Sequence, residues 1–356
     1  MSIAPARATA FDILLLVESG GYASDLLHVR TAALDARDAA LAHEIVFGVL
    51  RYRAQLDFLI AHYSGRAGKL DLEVRTALRI GLYQLRHLER VPTHAAVADS
   101  VQLVKRARKT SAAGFVNAVL RKVDRAPIDW PDRATAHSMP AWLLERWDRQ
   151  YGRETADSLA RAALAEPEKY VLSTAAGERR QDIGAQAIVP LLDLRPGQRF
   201  LDLCAAPGNK TAQALAAGVT AFACDIHFHR LVQLKPLTPN LAVLDATRPL
   251  PFSRLFDRIL VDAPCSGTGT LARNPEIKWR LTPGDLTDLH QRQAAILANA
   301  RRVLAPGGIL VYATCSLERE ENEEVASPPA LRRIPGRDPG DGFYAAVIKS
   351  GEPAND

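Results

Sequence analysis

Apolar residues recur every three or four positions through the first third of the chain, which is the spacing of amphipathic helices. The pattern predicts helices over residues 6–17 and 37–62, and further helices that begin near residue 71, at residue 92 and near residue 115. The alternating pattern of a half-buried strand is missing from this region. We therefore predict an all-α domain over residues 1–126 with short connections.

The later part of the chain alternates short apolar runs with helical segments. Strands are predicted over residues 199–204, 219–224, 241–244, 258–261 and 308–313, with an acidic helix over 317–325 and a closing antiparallel strand over 343–349. This alternation predicts a parallel sheet flanked by helices, an α/β domain over residues 181–350. Residues 127–180 are predicted as a linker and helical connector, helical over 140–165 and irregular over 167–181.

Composition narrows the class of protein. Of the 356 residues, 47% are hydrophobic and 24% charged, which excludes disordered and fibrous proteins. No apolar run approaches 18 residues and the first residues lack the order of a signal peptide, so we expect a soluble, cytoplasmic monomer without a membrane partner. The four cysteines lack C-x-x-C spacing, which argues against a zinc site or a disulfide scaffold, and we expect no metal.

Charge is unevenly distributed along the chain. Residues 1–125 contain 18 Lys and Arg against 12 Asp and Glu, a net charge of +6, whereas the remaining residues carry a net charge of −1. An excess of this size is often only a solvated surface. It is also compatible with a polyanionic partner that binds the helical domain.

The chain is organised around residues 198–211, which predict a strand, a sharp turn and an Ala-rich helix. In such a unit the ligand lies beyond the carboxyl end of the strand, near the helix N-terminus. The G-x-G-x-x-G fingerprint of dinucleotide-binding enzymes and the G-x-x-x-x-G-K-S/T phosphate loop are both absent. A loop that lacks these pyrophosphate-binding motifs suits S-adenosylmethionine. An ordinary tight turn is the alternative. The candidate cofactor-binding residues here are Asp202, Cys204, Ala205, Ala206, Pro207, Gly208, Asn209 and Lys210.

Acidic or thiol side chains follow most of the predicted strands. Asp225 is the candidate for the two ribose hydroxyls, and Asp245 for a contact with adenine. Asp262 and Cys265 follow the fourth strand in Asp-Ala-Pro-Cys, and Cys315 follows the fifth in Thr-Cys-Ser. Because parallel strands end at the same edge of a sheet, these groups are expected to converge. Arg230 and Asp262 complete the candidate cofactor-binding set.

The side chains suggest a reaction. Carbon 5 of cytosine accepts a methyl group only after a thiolate adds to carbon 6, so a cysteine and an acid near ring nitrogen 3 are required. Cys315 and Cys265 are the candidate thiols, and Asp262 is the candidate acid. Lys210 is a further catalytic candidate, because it starts the platform helix and can lower a thiol pKa. We interpret Cys224 as structural.

Four stretches of the first domain are recognisable: Asp38-Ala-Ala-Leu-Ala-His-Glu-Ile-Val-Phe-Gly-Val-Leu-Arg-Tyr-Arg, Leu78-Arg-Ile-Gly-Leu-Tyr-Gln-Leu, Val91-Pro-Thr-His-Ala-Ala-Val and Gly114-Phe-Val-Asn-Ala-Val-Leu-Arg. They resemble the NusB-like RNA-binding domain that precedes the catalytic domain of RsmB-type (Sun/Fmu) ribosomal RNA methyltransferases. The resemblance implies an all-α NusB-like domain followed by an α/β Rossmann-like class I methyltransferase domain. It also implies S-adenosylmethionine as cofactor and 16S ribosomal RNA, naked or in an early assembly intermediate, as partner.

The same resemblance assigns roles to individual residues. In RNA 5-methylcytosine methyltransferases the cysteine of Thr-Cys-Ser attacks and that of Pro-Cys assists release, whereas DNA cytosine methyltransferases attack with the Pro-Cys thiol. It therefore implies Cys315 as the nucleophile and Cys265 as the thiol that aids elimination. The implied phosphate contacts in the helical domain are Arg51, Arg53, Arg75, Arg79, Lys105, Arg106, Arg108 and Lys109. Residues 271–280 look like a loop over the substrate groove that offers Arg273, Lys278, Trp279 and Arg280; Trp279 could equally be a core anchor.

Two regions depart from the family pattern. The β-containing insert expected before the catalytic domain is largely missing over 167–181, and the excursion before the last strand is shortened over 326–337. These departures leave open a non-catalytic RNA-binding assembly factor. A methyltransferase acting on an amide or amine is a second alternative, but it would carry a motif such as Asn-Pro-Pro-Tyr in place of Asp262-Ala-Pro-Cys265.

Overall fold

The computed structural model describes residues 3–65, 70–174 and 177–351. The chain divides into two compact units. The helical unit comprises residues 1–165 and 271–280, and the α/β unit comprises residues 166–270 and 281–356. No helix among the described residues combines the length and the apolar character needed to cross a bilayer.

The helical unit packs amphipathic helices around one apolar core, as the spacing of apolar residues predicts. Helix α3 begins after Asp35, whose carboxylate accepts from the Asp38 amide at 2.8 Å and satisfies one free donor of the first turn. The helices before residue 165 are α1 (Pro5–Glu18), α2 (Ala23–Arg30), α3 (Ala36–Arg51), α4 (Arg53–Ser64), α5 (Leu72–His87), α6 (Thr93–Arg106), α7 (Ala113–Leu120), α8 (Arg133–Ala136), α9 (Ala141–Tyr151) and α10 (Arg153–Ala162).

The α/β unit is built on a seven-stranded sheet. Its strands, with a preceding two-stranded hairpin, are β1 (Val171–Thr174), β2 (Gly177–Arg180), β3 (Arg199–Asp202), β4 (Thr220–Asp225), β5 (Leu241–Val243), β6 (Phe256–Asp262), β7 (Leu304–Thr314), β8 (Leu331–Arg333) and β9 (Phe343–Lys349). The remaining helices are α11 (Ile183–Gln186), α12 (Asn209–Leu215), α13 (Phe228–Leu231), α14 (Ile277–Arg280), which belongs to the helical unit, and α15 (Pro283–Arg302).

The strand order is β5-β4-β3-β6-β7-β9-β8. The first five strands are parallel, and β9 runs antiparallel to both β7 and β8. This is the Rossmann-like arrangement predicted for the catalytic half. Because the five strands are parallel, the residues after β3, β4, β6 and β7 all emerge at one edge of the sheet.

Local structure differs from the sequence-based expectation in three places. The helix predicted over 37–62 is interrupted at Tyr52, which ends α3 and precedes α4. Residues 171–174 and 177–180 form the hairpin β1–β2, although 167–181 was predicted to be irregular. The acidic helix predicted over 317–325 is only a single 3-10 turn, Arg319–Glu321, because Glu321 and Asn322 turn inward to bond the loop after β7.

Candidate active site

Two contacts fix the conformation of the loop after β3. Thr211 Oγ1 donates to Asp202 Oδ2 at 2.7 Å, which fixes the first turn of α12 to the end of β3. Gly208 has a φ of +98° and lies against Leu234, whose Cγ would be 2.8 Å from an added Cβ. Only glycine therefore fits this turn without movement of its neighbours.

Asp202 is buried at the centre of this arrangement. Burial raises the pKa of its carboxyl group to about 7, despite the opposing effect of the Thr211 hydrogen bond. The Cys204 amide adds a weak interaction with the carboxylate, but no donor among the described residues reaches Oδ1 with hydrogen-bond geometry. Asp202 thus offers a buried acceptor beside the loop predicted to bind the cofactor.

Asp225 ends β4 and accepts two backbone hydrogen bonds. Oδ2 accepts from the Ala206 amide at 3.2 Å and Oδ1 from the His227 amide at 2.9 Å. Three exposed apolar side chains beside it were not among the predicted site residues: Ile226, Phe228 and Val243. The signal was available, since large apolar residues next to a strand-end carboxylate in a polar loop are unusual on a surface.

Lys210 and Asp262 connect the first turn of α12 to the end of β6. Lys210 Nζ donates to Asp262 Oδ2 at 2.5 Å. Burial by itself would lower the pKa of Lys210, but the Asp262 carboxylate outweighs it and the pKa is raised. A thiolate at Cys315 and the Asp202 carboxylate add to this effect, so Lys210 is a fixed cation within Coulombic range of three predicted site residues.

The two predicted thiols lie together. Cys265 Sγ and Cys315 Sγ are 3.3 Å apart, and both residues are only partly buried. The hydrogen bond with Cys315 is the largest cause that raises the pKa of Cys265, followed by burial, charge on Cys315 and the Glu321 carboxylate. A negative charge on the pair is therefore disfavoured at Cys265.

The surroundings of the other two cysteines favour the neutral thiol over the thiolate. Burial, followed by the carboxylates of Asp202, Asp262 and Asp225, raises the pKa of Cys204 well above its usual value. Burial also raises the pKa of Cys224 to about 12. Cys224 packs in the sheet core, which agrees with its structural interpretation, and Cys204 packs against that core.

Two predicted cofactor residues, Asp245 and Arg230, form no hydrogen bond or ion pair with this cluster among the described residues. Asp245 Oδ1 accepts from Thr247 Oγ1 at 2.6 Å and from the Thr247 amide at 3.0 Å, and Arg248 lies 3.5 Å from its Oδ2. These hydrogen bonds are the main cause that lowers the pKa of Asp245. Arg230 is exposed on α13. Their role toward a cofactor stays a prediction.

Most of the phosphate contacts suggested for the helical unit already have internal partners. Arg79 is buried and binds Asp57 with two hydrogen bonds of 2.7 Å, and Arg51 is buried and donates to the Ala272 carbonyl at 2.9 Å. The ion pairs formed by the others are Arg53 with Glu18, Arg106 with Asp12 and Lys109 with Asp71. Lys105 and Arg108 are exposed, without an ion pair to another described residue.

Residues 271–280 are packed into the helical unit instead of forming an open loop. Lys278 is fully buried and donates to the Arg51 carbonyl at 2.9 Å, and burial lowers its pKa to about 7. Trp279 Nε1 donates to the Leu50 carbonyl at 2.7 Å, and the Arg53 guanidinium lies over its ring. Of the two interpretations of Trp279, the structure therefore supports the core anchor, and Lys278 is not available to phosphate.

The fold and the site define a methyltransferase-like α/β unit whose paired thiols follow β6 and β7, joined in one chain to a helical unit. The model of the family "16S rRNA methyltransferase RsmB/F" matches residues 189–332, and that of the NusB family matches residues 4–125. The two matches fall on the α/β and the helical unit, and the RsmB/F match also spans residues 271–280 of the latter.

Relatives extend the match to nearly the whole chain. The chain is 32% identical to the ribosomal RNA small subunit methyltransferase B of Klebsiella pneumoniae, over 94% of this chain and 95% of that protein. It is 29% identical to a probable ribosomal RNA small subunit methyltransferase B of Bacillus subtilis, over 90% and 86%. The crystal structure of PH0851 shares the fold, with a TM-score of 0.77 at 20% identity over 98% and 99% of the two chains. The chain belongs to the RsmB family of ribosomal RNA small subunit methyltransferases.

Proposed function

We propose that this protein transfers a methyl group from S-adenosylmethionine to carbon 5 of a cytidine in 16S ribosomal RNA, with Cys315 as nucleophile. The observation that carries the proposal is the pair of thiols 3.3 Å apart beside the Lys210–Asp262 ion pair. A methyltransferase that acts on an amine or amide needs no thiol at this edge of the sheet. Addition to carbon 6 of a cytosine requires one.

The residues around β3 and β4 suit the cofactor. Asp202 Oδ1 is a buried acceptor without a full partner among the described residues, which suits the cofactor's ammonium group. Asp225 lies beside the exposed Ile226, Phe228 and Val243, a combination that suits a ribose and an apolar base face. When bound, S-adenosylmethionine supplies an electrophilic methyl group on a sulfonium centre.

The chemistry of the chain's own residues follows from their charges. The Cys315 thiolate forms a bond from Sγ to carbon 6, which moves electron density onto carbon 5 and ring nitrogen 3. We assign to Asp262 the proton or hydrogen bond that nitrogen 3 needs, and the hydrogen bond from Lys210 orients its carboxylate. After carbon 5 has taken the methyl group, a solvent water takes the proton of carbon 5 and the electrons of that C–H bond form the C5–C6 double bond. The Sγ–C6 bond breaks at the same time and Cys315 leaves as the thiolate. We assign assistance of this release to Cys265, whose Sγ lies 3.3 Å from Cys315 Sγ.

The helical unit and the substrate are part of the same proposal. A NusB-type domain with exposed Lys105 and Arg108 suits the phosphate backbone of RNA. We propose that a monomer binds 16S ribosomal RNA, naked or in an early assembly intermediate. The target base must be unstacked, since the thiol attacks from above the ring plane.

The test is a pair of cysteine variants assayed with labelled S-adenosylmethionine and 16S ribosomal RNA. Cys315→Ala is expected to lose turnover, because carbon 5 then lacks its activation. Cys265→Ala is expected to form the Sγ–C6 bond but release it slowly, so that a covalent protein–RNA adduct accumulates on denaturing gels. Cys224→Ala, in the sheet core, is the matched control and should turn over. Full activity of Cys315→Ala would disprove the assignment, and wild-type protein that binds RNA without transferring methyl would favour the assembly-factor alternative.

A further inference from the structure

Glu321 is a fully buried carboxylate that binds both cysteine loops. Its Oε1 accepts from the Ser266 amide at 2.8 Å and from Gln293 Nε2 at 3.0 Å. Its Oε2 accepts from the hydroxyl groups of Ser266 and Ser316. Ser266 directly follows Cys265, and Ser316 directly follows Cys315, so one side chain holds the residue next to each thiol.

We propose that Glu321 is a positioning residue for methyl transfer, which holds Cys265 and Cys315 at reacting distance and directs negative charge away from Cys265. This inference rests on the function proposed above. No motif of the sequence indicated this role for Glu321.

Further hydrogen bonds around Glu321 connect the same two cysteine loops. Gln293 also donates to the Pro264 carbonyl at 2.8 Å, so α15 binds the loop that carries Cys265. On the other side, the Thr268 hydroxyl accepts from the Leu317 amide at 2.9 Å. The Gly269 amide donates to the Cys315 carbonyl at 2.9 Å, and a Cβ on Gly269 would lie 2.8 Å from that oxygen. The two loops are thus held in contact along their backbones.

Glu321 accepts four hydrogen bonds, and loss of these bonds lowers the stability of the folded loops. Removal of its charge or its acceptors would leave several buried donors unpaired, and hydrogen bonds to a charged group are the stronger ones. Because catalytic groups must be held to within about 0.5 Å, loosening of this network is expected to affect the reaction more than substrate binding.

The charge of Glu321 has an effect separate from its geometry. The titratable groups that act on Cys265 are Cys315 and Glu321, and Tyr312 in turn lies within range of Cys265. The Glu321 carboxylate contributes to the raised pKa of Cys265. A neutral side chain at position 321 should therefore make the Cys265 thiolate easier to form.

Glu321→Gln tests both roles, with Glu324→Gln as the matched control because Glu324 is exposed in the same segment. We expect Glu321→Gln to lower kcat by ~10–100-fold with KM for RNA and cofactor within ~2-fold. Alkylation of Cys265, followed by mass spectrometry across pH, should reach its midpoint at a lower pH in Glu321→Gln than in the wild type. Glu324→Gln should match the wild type in both measurements.

Two serine variants and an RNA-independent measurement test the inference even if Glu321→Gln does not fold. If Glu321→Gln unfolds, Ser316→Ala and Ser266→Ala each remove one hydroxyl donor to Glu321 and leave its charge in place. Each should lower kcat several-fold in a folded protein. Unchanged kcat in these variants, or identical Cys265 alkylation in Glu321→Gln and Glu324→Gln, would overturn the inference. Alkylation requires no RNA, so it remains informative even if the wild type transfers no methyl group, which would instead refute the proposed function.

Discussion

In the α/β unit, the side chains at the ends of separate strands interact with one another: Lys210 with Asp262, Cys265 with Cys315, and Asp225 with the loop after β3. In the helical unit, most of the cations considered for RNA binding interact with nearby carboxylates or carbonyl groups of the same unit. The difference comes from topology. A parallel sheet brings its strand ends to one edge, whereas a helix surface does not determine which charges will face solvent.

The same difference explains what could be predicted from sequence. Asp262 and Cys315 were placed together because each follows a strand of one parallel sheet, a long-range constraint visible in local patterns. The burial of Lys278 could not be predicted, because it depends on residues 271–280 packing against the distant Arg51 and Leu50. Glu321 was missed for a related reason: an acidic run suggests an exposed helix, and only the tertiary contacts with Ser266 and Ser316 show that Glu321 turns inward.

The largest expected effect comes from Lys210→Met, which removes the cation shared by the strand ends. Asp262 would lose its 2.5 Å partner and a thiolate at Cys315 would lose a nearby positive charge. We expect methyl transfer to fall by ~10³-fold, the size of effect seen when one preorganised charge-stabilising group is removed. Single-turnover assays with 16S ribosomal RNA give the rate.

The control for that variant is Lys235→Met, which removes an exposed lysine of the same unit. It should transfer methyl groups at the wild-type rate. A folded Lys210→Met protein with a methyl-transfer rate within ~3-fold of the wild type would show that the strand-end cluster is structural. The difference between the two units would then concern stability and not catalysis.

A smaller effect is expected from Lys278→Met in the helical unit. The pKa of Lys278 is about 7 when folded and near 10.5 when unfolded, so the unfolded chain holds the extra proton and stability is reduced at low pH. This cost is complete below pH 7 and disappears as pH rises toward 10.5. Met removes the cost of about 5 kcal/mol but also the hydrogen bond to the Arg51 carbonyl, so a net stabilisation of ~2–3 kcal/mol is expected at pH 7.

Tryptophan fluorescence reports on this unit, because Trp130, Trp142, Trp147 and Trp279 all belong to it. Urea unfolding of wild type and Lys278→Met from pH 6 to pH 9.5 should show a stability difference that shrinks as pH rises. A difference that is constant with pH would mean that Lys278 keeps its proton on folding, and that residues 271–280 are less firmly packed than the contacts of Trp279 indicate.

The smallest effect separates an exposed cation from one that is already paired. Lys105→Gln and Lys109→Gln each remove one positive charge, but Lys109 lies 2.9 Å from Asp71 whereas Lys105 is exposed. If Lys105 contacts a phosphate of the RNA, its loss should weaken binding ~2–5-fold near 0.15 M salt and reduce the slope of log K against log salt by about one. Lys109→Gln should leave that slope close to the wild-type value.

Because both variants have the same net charge, filter binding of 16S ribosomal RNA at several salt concentrations distinguishes a direct contact from a general charge effect. Equal slopes for the two variants would place the RNA elsewhere on the helical unit.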